Sequence, residues 1–429
     1  MKPRQALIST LTVSTCVLGH PLDQPQQKNY ASTNQKHPLV AIGNGDRFRE
    51  RLPRGMGIID GDQDTSDATI PTILNLAEIE SGLDGLSRAY DDVHLLVSPS
   101  VTAEGRQIKA IRAGATKPRV IITSGVHGRE RGGPDHVFGL VADLLAARAR
   151  NSSLRYGSRI YDAESVRTAL SAGILLLPVV NPDGLAYDQL TSSCWRKNRN
   201  PAGAVDINRN FNYTWHHERL FAADVEIAVS DDASQHTYRG TAPLSEPESR
   251  AVAGFLAGDP SLTWFLDVHS FGYKVMYGWG VDDMQTVDPG QNFANSSYDG
   301  RRGSSDSSYG EFIEADDLLA METVSHRIAK AMSQGSPRSY EAMPIASFAR
   351  AATGSSIDQA MGPYYAGECG AHRINGLAIE FGSSGRFGCR HYPDVDSFRM
   401  SSWQVAVGLM ELLLAAAEGE AETKTVKCS

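Results

Sequence analysis

The sequence predicts an α/β fold, one large domain on a mixed sheet with helices packed against it. Three observations carry that expectation. Residues 119–124, 264–270 and 377–382 are short apolar runs rich in β-branched and aromatic side chains, with the length and composition of buried strands. Between them lie stretches with apolar residues at helical spacing, such as Val137, Leu140, Val141, Leu144 and Leu145. The chain has 429 residues, 41% of them hydrophobic, which is enough to bury one large core with short appendages.

Taken in order, residues 1–19 read as a signal peptide, because a cationic start, Met1-Lys-Pro-Arg-Gln5, precedes an apolar stretch too short to span a bilayer. Residues 20–66 are rich in Gln, Asn, Gly and Asp without sustained periodicity, the pattern of a linker or short pro-segment. The catalytic domain is expected over 67–418, followed by a charged tail over 419–429. Residues 91–98 and 107–114 read as a hairpin leading into the 119–124 strand. Asn181-Pro-Asp-Gly184 is a turn signal. Ser245-Glu-Pro-Glu248 has the spacing of a capping box opening a helix toward Leu256. Residues 281–310, rich in Asp, Ser and Gly, read as a long surface loop. A long helix with apolar periodicity is expected over 398–417.

The charge balance is 41 basic against 50 acidic residues, a net −9, and no basic stripe is present. Nucleic acid is therefore not an expected partner, and no membrane span is expected. If Cys16 leaves with the signal peptide, Cys194, Cys369, Cys389 and Cys428 remain. They allow three pairings, one of which would join Cys369 to Cys389 across the 377–382 strand.

The candidate chemistry begins where the first strand ends. His127 and Glu130, three residues apart in the turn before the helical stretch, read as two thirds of a zinc site of the hydrolase kind, which takes three His or carboxylate ligands and leaves a position for water. Alone, the pair is a weak pattern that reads more readily as a surface turn with an ion pair to Arg129 or Arg131. A third ligand is offered by His269 at the end of the second strand. Glu380, between Ile379 and Phe381, is a carboxylate that is costly to bury unless it is paired or working. Desolvation there would raise its pKa toward the range of a general base. Two loops, residues 194–200 and 205–211, bring Arg196 and Arg209, whose guanidinium groups suit carboxylates and developing oxyanions.

With these signposts in order, the chain resembles the zinc metallocarboxypeptidases of the carboxypeptidase A and B type. The matching motifs are His-x-Arg-Glu at 127–130, Asn-Pro-Asp-Gly at 181–184, Trp-Arg-Lys at 195–197 and Asp-x-Asn-Arg-Asn at 206–210. They continue with Val-His-Ser at 268–270, Gly-Ser-Ser-Ile-Asp at 354–358 and Glu-Phe at 380–381, followed by Gly-Arg-Phe-Gly at 385–388. The resemblance covers residues 70–415. It implies a single α/β domain with a mixed, mostly parallel, eight-stranded twisted sheet and helices on both faces.

The resemblance also assigns roles. His127, Glu130 and His269 would hold one Zn²⁺, with Asp206 orienting a zinc histidine. Glu380 would be the base and Arg196 the group that polarises the scissile carbonyl. Asn208 and Arg209 would grip the free C-terminal carboxylate of a peptide or protein substrate, with Arg129 as a further carboxylate contact; Arg350, which the family pattern does not supply, could still pair with that carboxylate. Ile357 would line the pocket for the departing side chain and favour aliphatic or aromatic residues. The chain departs from the family at Arg350, where a mobile tyrosine is expected; Tyr340 or Tyr364 are the aromatics close enough in sequence to stand in. The expected activity is that of a secreted zinc exopeptidase releasing C-terminal residues. A zinc deacylase or amidase acting on N-acyl amino acids or peptidoglycan peptides is the alternative, and an inactive peptide-binding relative a more distant one.

Overall fold

The computed structural model describes residues 38–62, 72–223, 225–282, 284–303, 309–349, 351–385, 388–419 and 424–428. The expected signal peptide and Arg350 lie outside them. The core is an eight-stranded sheet of β1 (His94–Val101), β2 (Gln107–Ala113), β3 (Val120–Ser124), β4 (Ile174–Leu177), β5 (Trp264–Ser270), β6 (Lys274–Tyr277), β7 (Glu341–Pro344) and β8 (Asn375–Phe381). Their spatial order is β7-β6-β8-β5-β3-β4-β2-β1. The central strands β8, β5, β3 and β4 run parallel, as do β7 and β6; the β6–β8, β4–β2 and β2–β1 pairings are antiparallel.

Every residue of β3 and of β5 is buried. A strand can lack polar–apolar alternation in this way only if both faces of the sheet are covered. Helices do that covering. On one side α2 (Gly133–Arg150), α3 (Ala163–Ser171), α6 (Ala315–Ser333) and α8 (Val395–Glu418) pack on one another, while α5 (Pro247–Gly258) and α7 (Ser356–Tyr365) pack together and against β1, β5 and β8. The remaining longer helices are α1 (Leu76–Ala89), against α2, and α4 (Pro182–Thr191). Helix α8 is long and apolar enough to cross a membrane, yet Val405, Leu409, Met410, Leu412 and Leu413 on it are buried in the protein core.

Four expectations change. Asn181-Pro-Asp-Gly184 is not a free turn but the start of α4: Pro182 occupies the first helical turn, where its missing N–H costs nothing, and the Asn181 side chain accepts from Gly184 N at 2.8 Å. The Ser245 capping box does not form, because α5 starts at Pro247 with Glu246 as cap residue; Ser245 Oγ instead donates to Glu246. Cys369 and Cys389 do not pair. Each is taken by another partner: the bonds formed are Cys194–Cys389 and Cys369–Cys428, with Cα atoms 5.4 and 4.7 Å apart, inside the range a disulfide spans.

The fourth change concerns residues 38–62, expected within a linker. Ile58–Ile59 pairs with Leu154–Tyr156, and Ile59 is fully buried. The segment is anchored by Asp143 on α2, whose carboxylate accepts from Arg54 Nε (3.1 Å), Gly55 N (2.8 Å), Gly57 N (2.8 Å) and Tyr156 Oη (2.9 Å). Glycine is required at 55, since a Cβ there would lie 2.5 Å from Asp143 and from the Gly139 carbonyl. Asp143→Ala strands two backbone donors and a hydroxyl at about 1–3 kcal/mol each when they stay buried. The expected outcome is a stability loss of roughly 3–5 kcal/mol in denaturant titrations, with faster amide exchange at Gly55 and Gly57. Unchanged exchange at those amides would show that Asp143 does not hold the segment.

Candidate metal centre and active site

The site gathers at the C-terminal ends of β3, β5 and β8, the edge where open α/β sheets place their ligands. His127 follows β3 in the turn that leads into α2. That turn passes so close to α4 that a Cβ on Gly128 would lie 2.3 Å from the Gly184 carbonyl oxygen, so only glycine fits there. His269 is the second-last residue of β5. Glu380 is its register partner on the neighbouring parallel strand β8, so the two side chains emerge side by side.

His127, Glu130 and His269 are buried, and one donor atom from each lies within 4.8 Å of the other two. Both imidazoles turn Nδ1 inward: His127 Nδ1 is 2.7 Å from Glu130 Oε1 and His269 Nδ1 2.9 Å from Glu130 Oε2. Their outer nitrogens meet buried carboxylates. His127 Nε2 is 3.2 Å from Asp206 Oδ1, and His269 Nε2 is 2.9 Å from Asp267 Oδ2. The second contact is an ion pair at close range whose angle is poor for a hydrogen bond. Two imidazoles and one carboxylate facing a common centre, each imidazole backed by an aspartate, form the donor set and the outer support that a catalytic zinc takes. The residues therefore fit the ion.

Electrostatics follow from this crowding. Burial pushes the Glu130 carboxyl upward, but the His127 and His269 imidazoles outweigh it and hold the group well below its ordinary range. Burial also raises Asp206, and Arg196, His127 and Arg209 more than reverse it. For Glu380 the compensation from His269 and Arg196 falls short. Burial and then the neighbouring Glu130 charge push it up to about 8. It is also partly exposed, so it can reach a substrate.

The arginines differ in what they meet. Arg196 donates to Asp206 Oδ2 from Nε (3.0 Å) and Nη2 (2.8 Å), leaving Nη1 3.9 Å from Glu130. Arg209 is buried, and its guanidinium is fixed by carbonyls, Ala228 O at 2.5 Å and Asn208 O at 2.6 Å, with no carboxylate partner among the described residues. Asn208 Oδ1 accepts from Ser356 N at 2.8 Å, tying this turn to the start of α7. Gly354, at φ +66°, lets the chain pass where a Cβ would stand 2.4 Å from the Arg209 carbonyl oxygen. Ile357 is buried beside Gly376. The Arg129 Nε is buried without a hydrogen-bond partner.

The zinc carboxypeptidase family model matches residues 79–391, most of the chain. The chain belongs to that family. Among curated relatives, a carboxypeptidase B of Helicoverpa zea is 32% identical over 48% of the chain and 46% of its own length. A carboxypeptidase B of Astacus astacus is 29% identical over 49% of the chain and 67% of its own length. The first of these matches thus spans less than half of its relative. Solved structures agree in fold: carboxypeptidase A of Helicoverpa armigera superposes with a TM-score of 0.60 at 21% identity, covering 82% of this chain and 76% of that one. Thrombin activatable fibrinolysis inhibitor gives 0.61 at 19% identity, over 82% and 79%.

Two features of the site escaped the sequence reading. Asp267 accepts from Thr123 Oγ1 (2.8 Å) and Ser356 Oγ (2.6 Å) as well as facing His269. Strand alternation puts residues 267 and 269 on one face, a signal that was available. His391, with Nδ1 3.4 Å from Ser270 Oγ, comes from a loop bound to the Arg196 segment by the Cys194–Cys389 bond, and no local pattern announces it. Partners that orient a metal ligand are typically worth tenfold to hundredfold in metal affinity. Asp206→Asn and Asp267→Asn should each weaken zinc retention by about that factor in chelator competition; wild-type retention in both would remove the aspartates from the metal site.

Proposed function

We propose that the protein is a secreted exopeptidase, holding one Zn²⁺ per chain, that hydrolyses the C-terminal peptide bond of peptides or proteins. His127, Glu130 and His269 would bind the ion, which when present polarises the scissile carbonyl and brings the pKa of water toward neutrality. Glu380 takes the proton of the attacking water and returns it to the departing nitrogen, a task suited to a carboxyl raised by burial. Arg196, held in plane by Asp206, directs its remaining nitrogen at the carbonyl oxygen as charge develops there.

The observation that carries the exopeptidase reading is Arg209. A buried guanidinium without a carboxylate partner favours a chain end, whose carboxylate accepts two of its hydrogen bonds; an internal peptide bond leaves it unpaired. Asn208, fixed by Ser356, stands beside it as a second contact. An apolar Ile357 supports release of aliphatic or aromatic residues. Two disulfides support folding in an oxidising compartment and hence export.

Mass spectrometry of a peptide panel with varied C-termini tests the reading. Single C-terminal residues should be released, apolar ones faster than Lys or Arg, and a chelator should stop the reaction. Internal cleavage, or turnover confined to N-acyl amino acids, would overturn it. Glu380→Gln should keep its zinc and lose at least about a hundredfold in kcat; full turnover in that variant would mean the base lies elsewhere.

A further inference from the structure

A cavity of about 420 Å³ opens between the 47–56 segment and the helices α2 and α8, within the range of about 300–1,000 Å³ usual for ligand pockets. It shares no residue with the metal site. Its walls are largely apolar: Phe48 and Leu52 come from the segment, Leu140 from α2, and Phe398 and Ala406 from α8. Leu140, Phe398 and Ala406 are buried, so the inner wall belongs to the protein core.

Most polar groups that face the cavity are already paired. Arg47 donates to Glu78 from Nε at 2.6 Å and Nη2 at 3.1 Å, and Arg54 donates to Asp143 at 3.1 Å and Asp62 at 3.0 Å. Tyr156 donates to Asp143, and the ring nitrogens of His136 lie 3.0 and 2.9 Å from the hydroxyls of Ser401 and Ser402. Two lining groups are left without a partner among the described residues. Asp135 accepts from Leu74 N at 2.7 Å through Oδ1, whereas its Oδ2 is buried and meets no donor. Burial pushes this carboxyl up to about 7, and the charge of Arg47 does not offset it. The other is Arg51, which is exposed and lines the same cavity.

We propose that the cavity is a second binding site, for a free apolar α-amino acid, with its ammonium on Asp135 Oδ2, its carboxylate on Arg51 and its side chain among Phe48, Leu140 and Phe398. A buried acceptor without a donor is costly, and a charged donor is the partner that satisfies it best. A plain acid would leave Asp135 unpaired and a plain amine would leave Arg51 unpaired. A zwitterion with an apolar body answers both groups and the wall between them. The choice of occupant rests on the exopeptidase reading, because that reaction would release such amino acids. The cavity also backs onto the catalytic edge. The ring of His136 lies 5.1 Å from that of Phe398 and 4.9 Å from that of Phe381, the neighbour of Glu380.

Calorimetry on zinc-loaded Glu380→Gln protein tests the site with the cleft filled. The cleft is first saturated with an N-acetylated tetrapeptide ending in an apolar residue, and L-phenylalanine is then titrated in. One equivalent should still bind. N-acetylphenylalanine, which lacks the ammonium, and phenethylamine, which lacks the carboxylate, should each bind at least about tenfold more weakly. Asp135→Asn and Arg51→Ala should each weaken phenylalanine by a similar factor while leaving the affinity of the tetrapeptide unchanged. Phenylalanine that binds only when the tetrapeptide is absent overturns the proposal, as does an affinity untouched by Arg51→Ala, a change at an exposed position that folding tolerates. A tetrapeptide that binds equally well with its C-terminus amidated overturns the exopeptidase reading instead, and the phenylalanine titration still decides the cavity.

Discussion

A buried row of carboxylates and imidazoles, Asp206–His127–Glu130–His269–Asp267, is the constraint on which the site depends. Its four links measure 3.2, 2.7, 2.9 and 2.9 Å. None of these groups could be buried alone without several kcal/mol of desolvation cost. Each is tolerable because it meets a polar partner within the row, so burial is favourable only when its members come together. Its members come from three separate places: the turn after β3, the end of β5 and the turn at 206–209. The sheet must bring the first two together, and the parallel β3–β5 pairing, with Ser124 in register with Val268, does so.

The same row explains why Glu380 differs from Glu130 although both are carboxylates at one sheet edge. Glu130 lies between two imidazoles and is held ionised; Glu380 lies beside Glu130 and feels like charge. Two acids pushed in opposite directions are what a metal ligand and a proton acceptor require of their surroundings. The arginines are sorted by the same logic. Among the described residues Arg196 has a dedicated carboxylate, Arg209 only carbonyls, and Arg129 an Nε without a partner, so Arg209 is better placed than Arg196 to accept a substrate anion.

Much of this was legible in the sequence, for a physical reason. Strands β3, β5 and β8 are buried on both faces, so they read as continuous apolar runs, and a polar residue at the end of such a run stands out. His269 and Glu380 stood out in that way, and the glycines and asparagines around them marked the turns. What was not legible depends on contacts between distant residues. Cys194 and Cys389 are 195 residues apart, and spacing alone could not rank their pairing above the one across β8. The polar stretch at 38–62 looked unstructured because its anchor, Asp143, sits on a helix far along the chain. Ser245-Glu-Pro-Glu248 misled for a local reason: proline at 247 favours the first helical turn, which moves the cap to Glu246.

Precision at the centre comes from backbone, not from side-chain packing alone. The turn carrying His127 and Glu130 is strung between β3 and α2, two elements whose facing residues are almost all buried. It is pressed at Gly128 onto the Gly184 carbonyl of α4, while Asn181, the cap of α4, donates to the Val126 and Lys197 carbonyls at 3.1 and 3.2 Å. One capping residue therefore couples the ligand turn to the segment that bears Arg196, and the Cys194–Cys389 bond ties that segment to the loop of His391. The candidate metal ligands, Arg196 and the loop of His391 share one frame. A shift in any of them must displace the others, so the spacing between the candidate zinc ligands and the proposed substrate contacts is set by the fold.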